Sequence, residues 1–556
     1  MCYKCICRLF FYNKFINFNM AKNKKVFQGE FYTPKSLSKH SNDKIDEHLG
    51  DDWRGRYVVW DCAAGHGSLT EEGEYRNLYQ STLEQSDLDD MIEEGINPEA
   101  TKFQFDFING KNDDIPKGLI DSIKNGEEIL FFINPPYAKA KGKIDNTSGV
   151  GDNTLKGKMI SSGLASASIQ LYCQFLFRII DIKREFDANI SIALFSPSLF
   201  MTSWTFSKFK EYFESEFEYK YGFLCNSIEF DCREPWGIAF TIWEPGCKLL
   251  EDHSVEVVET NNEGRVVKLF DKKLYSVPKK ETANSWIKTE AKKLKVLDNP
   301  RLRNPVTVVD DNKKGKGCDG FKGFMYMHGN SVLYNEKDVL IMSSSYNSVS
   351  SGFQILEGTF RKSCAYFTAR KVIDRTWYGE KDEYMVPDLY SDIYKSWEDN
   401  SLLYSCFNNS SNQSSLRDVA YKNKSWDILN EFFWIPVDKV REMAEEIGYV
   451  EMLSDIEKFG SERQMSKEIV NLDFYTELDR IRNDINNLFK ESLERRRWFS
   501  KNNPQLHLDC WDAGYYQLKQ FWKKEFPEEF DKIKKAYREY SISLVDKVYQ
   551  LGYLKR

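Results

Sequence analysis

The residues of this chain with the most chemistry stand together at Asn134-Pro135-Pro136-Tyr137. A residue before proline is pushed toward extended backbone, and each proline fixes its own φ, so this stretch is stiff. It presents two hydrogen-bond acceptors, the Asn134 side-chain oxygen and the Pro135 main-chain carbonyl. Two acceptors held this way can take both protons of a flat amino group and draw its nitrogen toward tetrahedral geometry. The lone pair is then freed for attack on an electrophilic carbon. No strong base is required, because the proton can leave after attack. Tyr137 adds a ring on which a planar ligand can stack.

The element that must carry this group comes just before it. Ile129-Leu130-Phe131-Phe132-Ile133 is apolar without a break and reads as a parallel strand buried on both faces, stopped by prolines that lack a ladder donor. Ligands of open α/β sheets bind outside the carboxyl ends of the strands, so Asn134 is delivered to a crevice. Upstream stretches have the same format. Tyr57 to Thr70, YVVWDCAAGHGSLT, reads as strand, acid, glycine turn and helix, with Asp61, Ala63, Gly65 and Gly67 at the turn. Such a turn alone could equally bind a dinucleotide, although the Gly-x-Gly-x-x-Gly order is missing. The strand LYQSTLE ends at Glu84, with Asp87 expected to cap the next helix, and FQFDF ends in Asp106 and Phe107. Before all of these, FQGEFYTPKSLSKH places Thr33 as a helix cap and Pro34 at the first helical position.

These stretches resemble the motifs of the amino-methyltransferases that methylate an exocyclic nitrogen, most often N6 of adenine in DNA. Asn134 to Tyr137 resembles motif IV, Asp61 to Gly67 motif I, Asp106-Phe107 motif III and the Thr33 region motif X. The order X, I, II, III, IV, VIII with a recognition domain behind it is similar to the γ group, and the resemblance covers about residues 27 to 244. It implies an α/β, Rossmann-like class I methyltransferase domain, a mostly parallel sheet with a terminal antiparallel hairpin, using S-adenosylmethionine. It implies that the Thr33 region holds the methionine end and that Asp61 faces the ammonium. Ala63, Gly65 and Gly67 would admit the cofactor, and Glu84 would grip the ribose in preference to Asp87. Asp106 would take the cofactor's adenine amino group while Phe107 packs on that ring.

The same resemblance makes Asn134, Pro135, Pro136 and Tyr137 catalytic, with Tyr137 and Phe230 on the two faces of a flipped base. Phe230 lies in YGFLCNSIEFDCREPWGIAFTIWE, two strands joined by a polar loop, where Trp236 competes for the role. Asparagine at the first motif position favours adenine N6 over cytosine N4, where serine is commoner. Enzymes acting on ribosomal RNA or protein glutamine share Asn-Pro-Pro-Tyr but are usually far smaller. A fusion that also cuts DNA would need a nuclease cluster of the form Asp…Glu-x-Lys, and none is evident.

At 556 residues the chain implies two or three domains. A net charge of −7 excludes a generally basic coat, so a surface for double-stranded DNA must be local. The glycine- and lysine-rich stretch after Tyr137 supplies one, with Lys139, Lys141, Lys143, Lys156 and Lys158 read as a flap closing on nucleic acid. Cys2, Cys5 and Cys7 cluster, but the twelve cysteines and six histidines form no second half of a zinc site. No metal, membrane or obligatory protein partner is expected. Single cysteines suit a reduced cytoplasmic protein, and the resemblance implies a bacterial or phage-infected cell.

The expected organisation is a non-native or disordered leader over 1–19, with Met20 the natural start, and the methyltransferase domain over 20–250. A linker follows over 251–303 with a helix near Ala291, then an α+β target-recognition domain over 304–556 that ends in helices. Within that last part VLIMSSS, GTFRKSCAYFTARK and TWYGEKDEYMVP read as strands. Tyr475 to Trp498 reads as a helix ending in Arg495-Arg496-Arg497, and Ser166 to Phe186 as a helix of the catalytic domain.

Overall fold

The computed structural model describes residues 32–71, 73–138, 154–288, 295–297, 300–309, 315–317, 319–332, 339–343, 352–453, 462–472 and 476–556. The chain divides into two compact units. One reaches to Val277 and takes in Thr376–Glu383; the other comprises Pro278–Arg375 and Tyr384–Lys555. The leader, Lys139, Lys141, Lys143 and Ala291 lie outside the described residues.

In the first unit the strands are β1 (Val58–Asp61), β2 (Asn77–Thr82), β3 (Thr101–Gln104), β4 (Ile129–Ile133), β5 (Ile190–Pro197), β6 (Phe217–Asn226), β7 (Gly237–Pro245), β8 (Asp252–Thr260) and β9 (Val266–Tyr275). They form one nine-stranded sheet in the order β3-β2-β1-β4-β5-β7-β6-β8-β9. The strands from β3 to β5 are mutually parallel, and β7 runs antiparallel to both β5 and β6. The order 3-2-1-4-5-7-6 with an antiparallel seventh strand is the class I methyltransferase topology, with the terminal hairpin where the sequence placed it.

Every residue of β4 is buried, and its side chains alternate between two cores. Ile129, Phe131 and Ile133 join a cluster with Leu119 and Ile123 of the helix Lys117–Lys124, and with Cys173, Leu176 and Ile180 of the helix Leu171–Phe186. Leu130 and Phe132 face the other way, toward Leu37, Ile45 and Leu49 of α1 (Lys35–Leu49). Helices therefore cover both faces of the central strands, which is why those strands are apolar without alternation. The helix expected from Ser166 begins at Leu171, whose N–H donates to the Ala138 carbonyl at 3.1 Å and so fixes the exit of the Asn-Pro-Pro-Tyr stretch.

The linker expected over 251–303 is corrected. β8 and β9 are a hairpin that widens the sheet, β8 pairing in parallel with β6. Val255, Val257 and Val258 are buried, while most of β9 is exposed on the outer edge. Buried polar pairs fasten the addition: His253 Nε2 stands 2.8 Å from Glu214 Oε1, and Lys272 Nζ donates to Asp382 Oδ2 at 2.6 Å. Beyond Val277 a short helix, Ala283–Lys288, opens the second unit.

The second unit is α+β, as expected. Strands Phe321–Met327, Val339–Met342, Phe353–Leu356 and Ser411–Asn412 form a four-stranded sheet, and helices dominate after residue 436. Two strand expectations fail. Phe360–Val372, inside GTFRKSCAYFTARK, is a helix buried nearly all round, so no amphipathic stripe announced it. TWYGEKDEYMVP carries no strand; its first part, Thr376–Glu383, belongs to the first unit. The helix expected over 475–498 is two helices, Thr476–Glu491 and Leu493–Asn502, with the three arginines inside the second. Arg496 is fully buried and donates to the Cys510 carbonyl at 3.3 Å, so this cluster is partly core. Among the described residues no helix is long and apolar enough to cross a membrane.

If β8 and β9 belong to the sheet, Lys272→Ala leaves the Asp382 carboxylate buried without its partner and should lower stability of the first unit by about 3–5 kcal/mol. Lys272→Met combined with Asp382→Leu should recover most of that. Urea unfolding of the three proteins checks this; a single variant indistinguishable from wild type would return the hairpin to the status of a linker.

Candidate active site at the ends of β1 and β4

The chain leaves β1 toward β2 and β3 on one side and returns to β4 on the other, so the crevice between β1 and β4 is the switch point of the sheet. The two strands are direct neighbours, with Trp60 paired to Phe131. Their carboxyl ends therefore lie side by side, one carrying Asp61 and the glycine turn, the other Asn134.

The turn after β1 is tight. Gly65 and Gly67 have φ of +51° and +75°, a region that favours glycine, and the Gly67 N–H donates to the Ala64 carbonyl at 2.7 Å. A Cβ on Gly67 would meet Gln80, Ile96 and Met91 at 3.0 Å or less, and one on Gly65 would stand 3.2 Å from the Tyr32 ring. The Ala64 N–H donates to the Ser81 carbonyl at 3.0 Å, which ties the turn to the end of β2. Asp61 is 1% exposed, and its Oδ1 accepts from the Ala63 N–H at 3.2 Å. Burial pushes its carboxyl up to about 7 against the pull of that one N–H. A cation set against Asp61 would draw it back down.

Asn134 is held on both sides of its amide. Its Nδ2 donates to Thr33 Oγ1 at 3.0 Å, and its Oδ1 accepts from the Tyr137 hydroxyl at 2.6 Å. This corrects the expectation for Thr33. Pro34, not Thr33, is the cap residue of α1, and no side chain caps that helix, because the Thr33 hydroxyl is turned to Asn134, 101 residues on. Pro135 is buried, Pro136 and Tyr137 partly so. Burial, with Cys225 and Cys232 nearby, keeps the Tyr137 hydroxyl protonated well above its ordinary range, so it is a donor at neutral pH.

The second aromatic wall is also corrected. Phe230 ends a short 3-10 turn, is 3% exposed, and packs edge-on against Phe195 in the core. Trp236 is the ring beside Tyr137, with centroids 5.8 Å apart and planes at 77°. Its backbone is pinned twice by Ser227, whose N–H donates to the Trp236 carbonyl and whose Oγ accepts the Trp236 N–H.

The remaining positions divide. Glu84 is partly exposed just past β2 and caps the helix Gln85–Glu93 through its backbone. Asp87, expected as that cap, lies instead in the first turn, buried, accepting from Thr82 Oγ1 at 3.4 Å. Asp106 closes its own turn, taking the Ile108 and Asn109 N–H groups and the Asn109 side chain on its two oxygens. Of about four lone-pair positions one is left for a ligand. Phe107 is core rather than ligand wall, 3% exposed and stacked on Phe175 with centroids 5.1 Å apart. Lys156 and Lys158, expected in a loop, lie on the helix Thr154–Ser161, where Leu155 and Met159 are buried and Lys158 pairs with Asp181 at 3.2 Å.

Two residues of this region escaped sequence reasoning. Tyr32 lies over the glycine turn, its ring edge-on to His66 with centroids 4.7 Å apart, although it adjoins Thr33 and could have been noticed there. His66 itself, with Asp87 and Asp90, brings one ligand atom each within 4.8 Å of one another. Its Nδ1 is 3.8 Å from Asp90 Oδ2.

No family model matches the chain, and no curated protein matches it. Among solved structures it is similar to the DrdV–DNA complex, at 14% identity over 42% of this chain and 28% of that one, TM-score 0.32. It is similar to the M protein of the type I restriction enzyme EcoKI at 12% identity over 41% and 48%, TM-score 0.27. The type IIG restriction endonuclease BpuSI aligns at 13% identity over 94% and 66%, TM-score 0.31. The chain thus spans less than half the length of the first two. At such identities the strand order, not the likeness, carries the fold.

The two aromatics are separable by experiment. Phe230→Ala should cost about 3–5 kcal/mol of stability through the cavity it leaves. Trp236→Ala should leave the urea midpoint near that of wild type. Equal destabilisation by both substitutions would mean that Trp236 is core as well.

Proposed function

We propose that the chain is an S-adenosylmethionine-dependent DNA methyltransferase acting on N6 of an adenine flipped out of duplex DNA. The observation that carries this reading is the adjacency, at the switch point, of the buried acid and glycine turn of β1 with the proline-pinned Asn134 of β4. The residues fit the cofactor: a carboxyl buried as deeply as Asp61 is completed by a cationic group, and the side-chain-free turn admits a ligand against backbone. Asp61, Gly65, Gly67, Tyr32, Glu84 and Asp106 are the residues that would hold it. When bound, S-adenosylmethionine supplies an electrophilic methyl group on a sulfonium.

Everything else falls to the chain. The target amine, poorly nucleophilic because its lone pair is delocalised into the ring, would donate its two N–H groups as hydrogen bonds to Asn134 Oδ1 and the Pro135 carbonyl, attack the methyl carbon with its lone pair, and lose one proton to solvent afterwards. Holding it in line supplies roughly 7–11 kcal/mol of the barrier as prepaid orientation. Flipping the base costs a few kcal/mol, and stacking on one aromatic returns about 1–3 kcal/mol. Tyr137, backed by Trp236, is the ring placed for that. Because the Tyr137 hydroxyl sits on Oδ1, an arriving amine would either share that oxygen with it or displace it. The second unit, α+β and at the carboxyl-terminal side of the motifs, is read as the target-recognition domain.

DNA from cells expressing the protein, digested to nucleosides, should contain N6-methyladenine that control cells lack. N4-methylcytosine would reassign the base, and unmodified DNA beside methylated RNA or protein glutamine would contradict the reading.

Two further outcomes follow. Tyr137→Phe keeps the ring and removes only the competing hydroxyl, so transfer should change by less than about threefold. Tyr137→Ala should weaken capture of a 2-aminopurine-marked target about tenfold to a hundredfold while cofactor affinity holds. For Asp61 the sign is set by its raised carboxyl. A cationic ligand binds the ionised form, so cofactor affinity should fall about tenfold per pH unit from 7 down to 5.5. The slope should vanish in Asp61→Asn; calorimetric titration across that range checks it.

A further inference from the structure

Thr33 is 6% exposed and sits two residues before α1, separated from it by the cap residue Pro34. α1 is fastened to the glycine turn by Ser38 Oγ and Asn42 Nδ2, both donating to the Leu69 carbonyl, at 3.0 and 3.4 Å. Pro34 restricts the Thr33 backbone to extended conformations, so the hydroxyl is delivered from a stiff support. It reaches the Asn134 amide at 3.0 Å. We propose that Thr33 is a positioning residue for Asn134, holding the amide so that the oxygen and not the NH2 group faces the incoming amine; this rests on the methyl-transfer reading above.

The need for such a residue comes from the amide itself. The terminal torsion of asparagine is soft and roughly two-fold, and a half turn exchanges an acceptor for a donor. A donor aimed at an amine repels it and leaves its protons unmatched. Thr33 and Tyr137 together select the working orientation, because a phenol donates more strongly and accepts more weakly than an aliphatic hydroxyl. Tyrosine therefore gives to Oδ1, and threonine takes from Nδ2. Once a base displaces the Tyr137 hydroxyl, the Thr33 contact persists. The assignment differs from the one the family resemblance implies, in which this threonine region serves the methionine end of the cofactor.

The experiment compares wild type, Thr33→Val and Thr33→Ser, reading the single-turnover methyl-transfer rate at saturating cofactor and duplex DNA, the S-adenosylmethionine dissociation constant, and the melting midpoint. Valine matches threonine in shape and lacks the hydroxyl, so Thr33→Val should lose roughly tenfold in rate with the dissociation constant changed less than about twofold. Thr33→Ser should stay within about threefold of wild type on both. A Thr33→Val rate equal to wild type overturns the proposal, and so does a dissociation constant that rises as much as the rate falls, which would return Thr33 to the cofactor. If Thr33→Val melts too low to assay, Thr33→Ala against Thr33→Ser carries the same comparison, since they differ by the hydroxyl alone. Wild-type protein that binds the donor and transfers to nothing contradicts the proposed function itself; active wild type with an equally active Thr33→Val contradicts this assignment alone.

Discussion

The site depends on one constraint of the sheet: β1 and β4 are neighbours whose chain connections depart in opposite directions. No helix or loop can cross the gap between their carboxyl ends without passing over it, so the crevice is open by construction. β1 ends in an acid whose carboxyl burial pushes up to about 7, and β4 is followed by an amide that two prolines prevent from continuing the strand. Trp60 and Phe131 pack with centroids 5.0 Å apart just behind these ends and keep them in register. The buried acid and the proline-pinned amide become adjacent through the pairing of β1 with β4.

The Asn134 amide is constrained at both ends. Its two hydrogen-bonding ends are satisfied by residues from before β1 and after β4, so the closed arrangement leaves no cost of an unmet acceptor. Under the proposed function, exchange of the Tyr137 hydroxyl for a substrate amine would be close to neutral in hydrogen bonds. Trp236, whose backbone N–H and carbonyl are both held by Ser227, sets its ring edge-on beside Tyr137.

Much of this was legible in the sequence because the signals were local. Five apolar residues ended by two prolines define β4 and its terminal residue unaided, and the glycines of the first turn stand at positive φ where only their spacing was available. What was not legible depends on direction rather than type. Phe230 and Trp236 are both aromatics near one polar loop; Phe230 closes the 3-10 turn before Asp231, at φ of 60°, and packs on Phe195, while Trp236 stands beside Tyr137. The β8–β9 hairpin was hidden because buried His253 and Lys272 break the apolar alternation, and because β9, as an edge strand, is lysine-rich and exposed. The helix Phe360–Val372 was read as a strand since Tyr366, Phe367 and Thr368 suit either state and burial on all sides erased the helical period. Thr33 was legible as a residue, but its partner lies on a different strand end, which no local pattern encodes.

The central claim, that Asn134 draws an aromatic amine into attack on a sulfonium methyl, is tested most directly by Asn134→Ala in single-turnover label transfer from S-adenosylmethionine to a varied duplex library. The account predicts adenine labelling by wild type and loss of about a hundredfold or more in the variant, the scale of removing one preorganised contact to the reacting group, with donor affinity unchanged. Wild type that binds the donor normally yet leaves every adenine unlabelled, or a variant that transfers as fast as wild type, would contradict it.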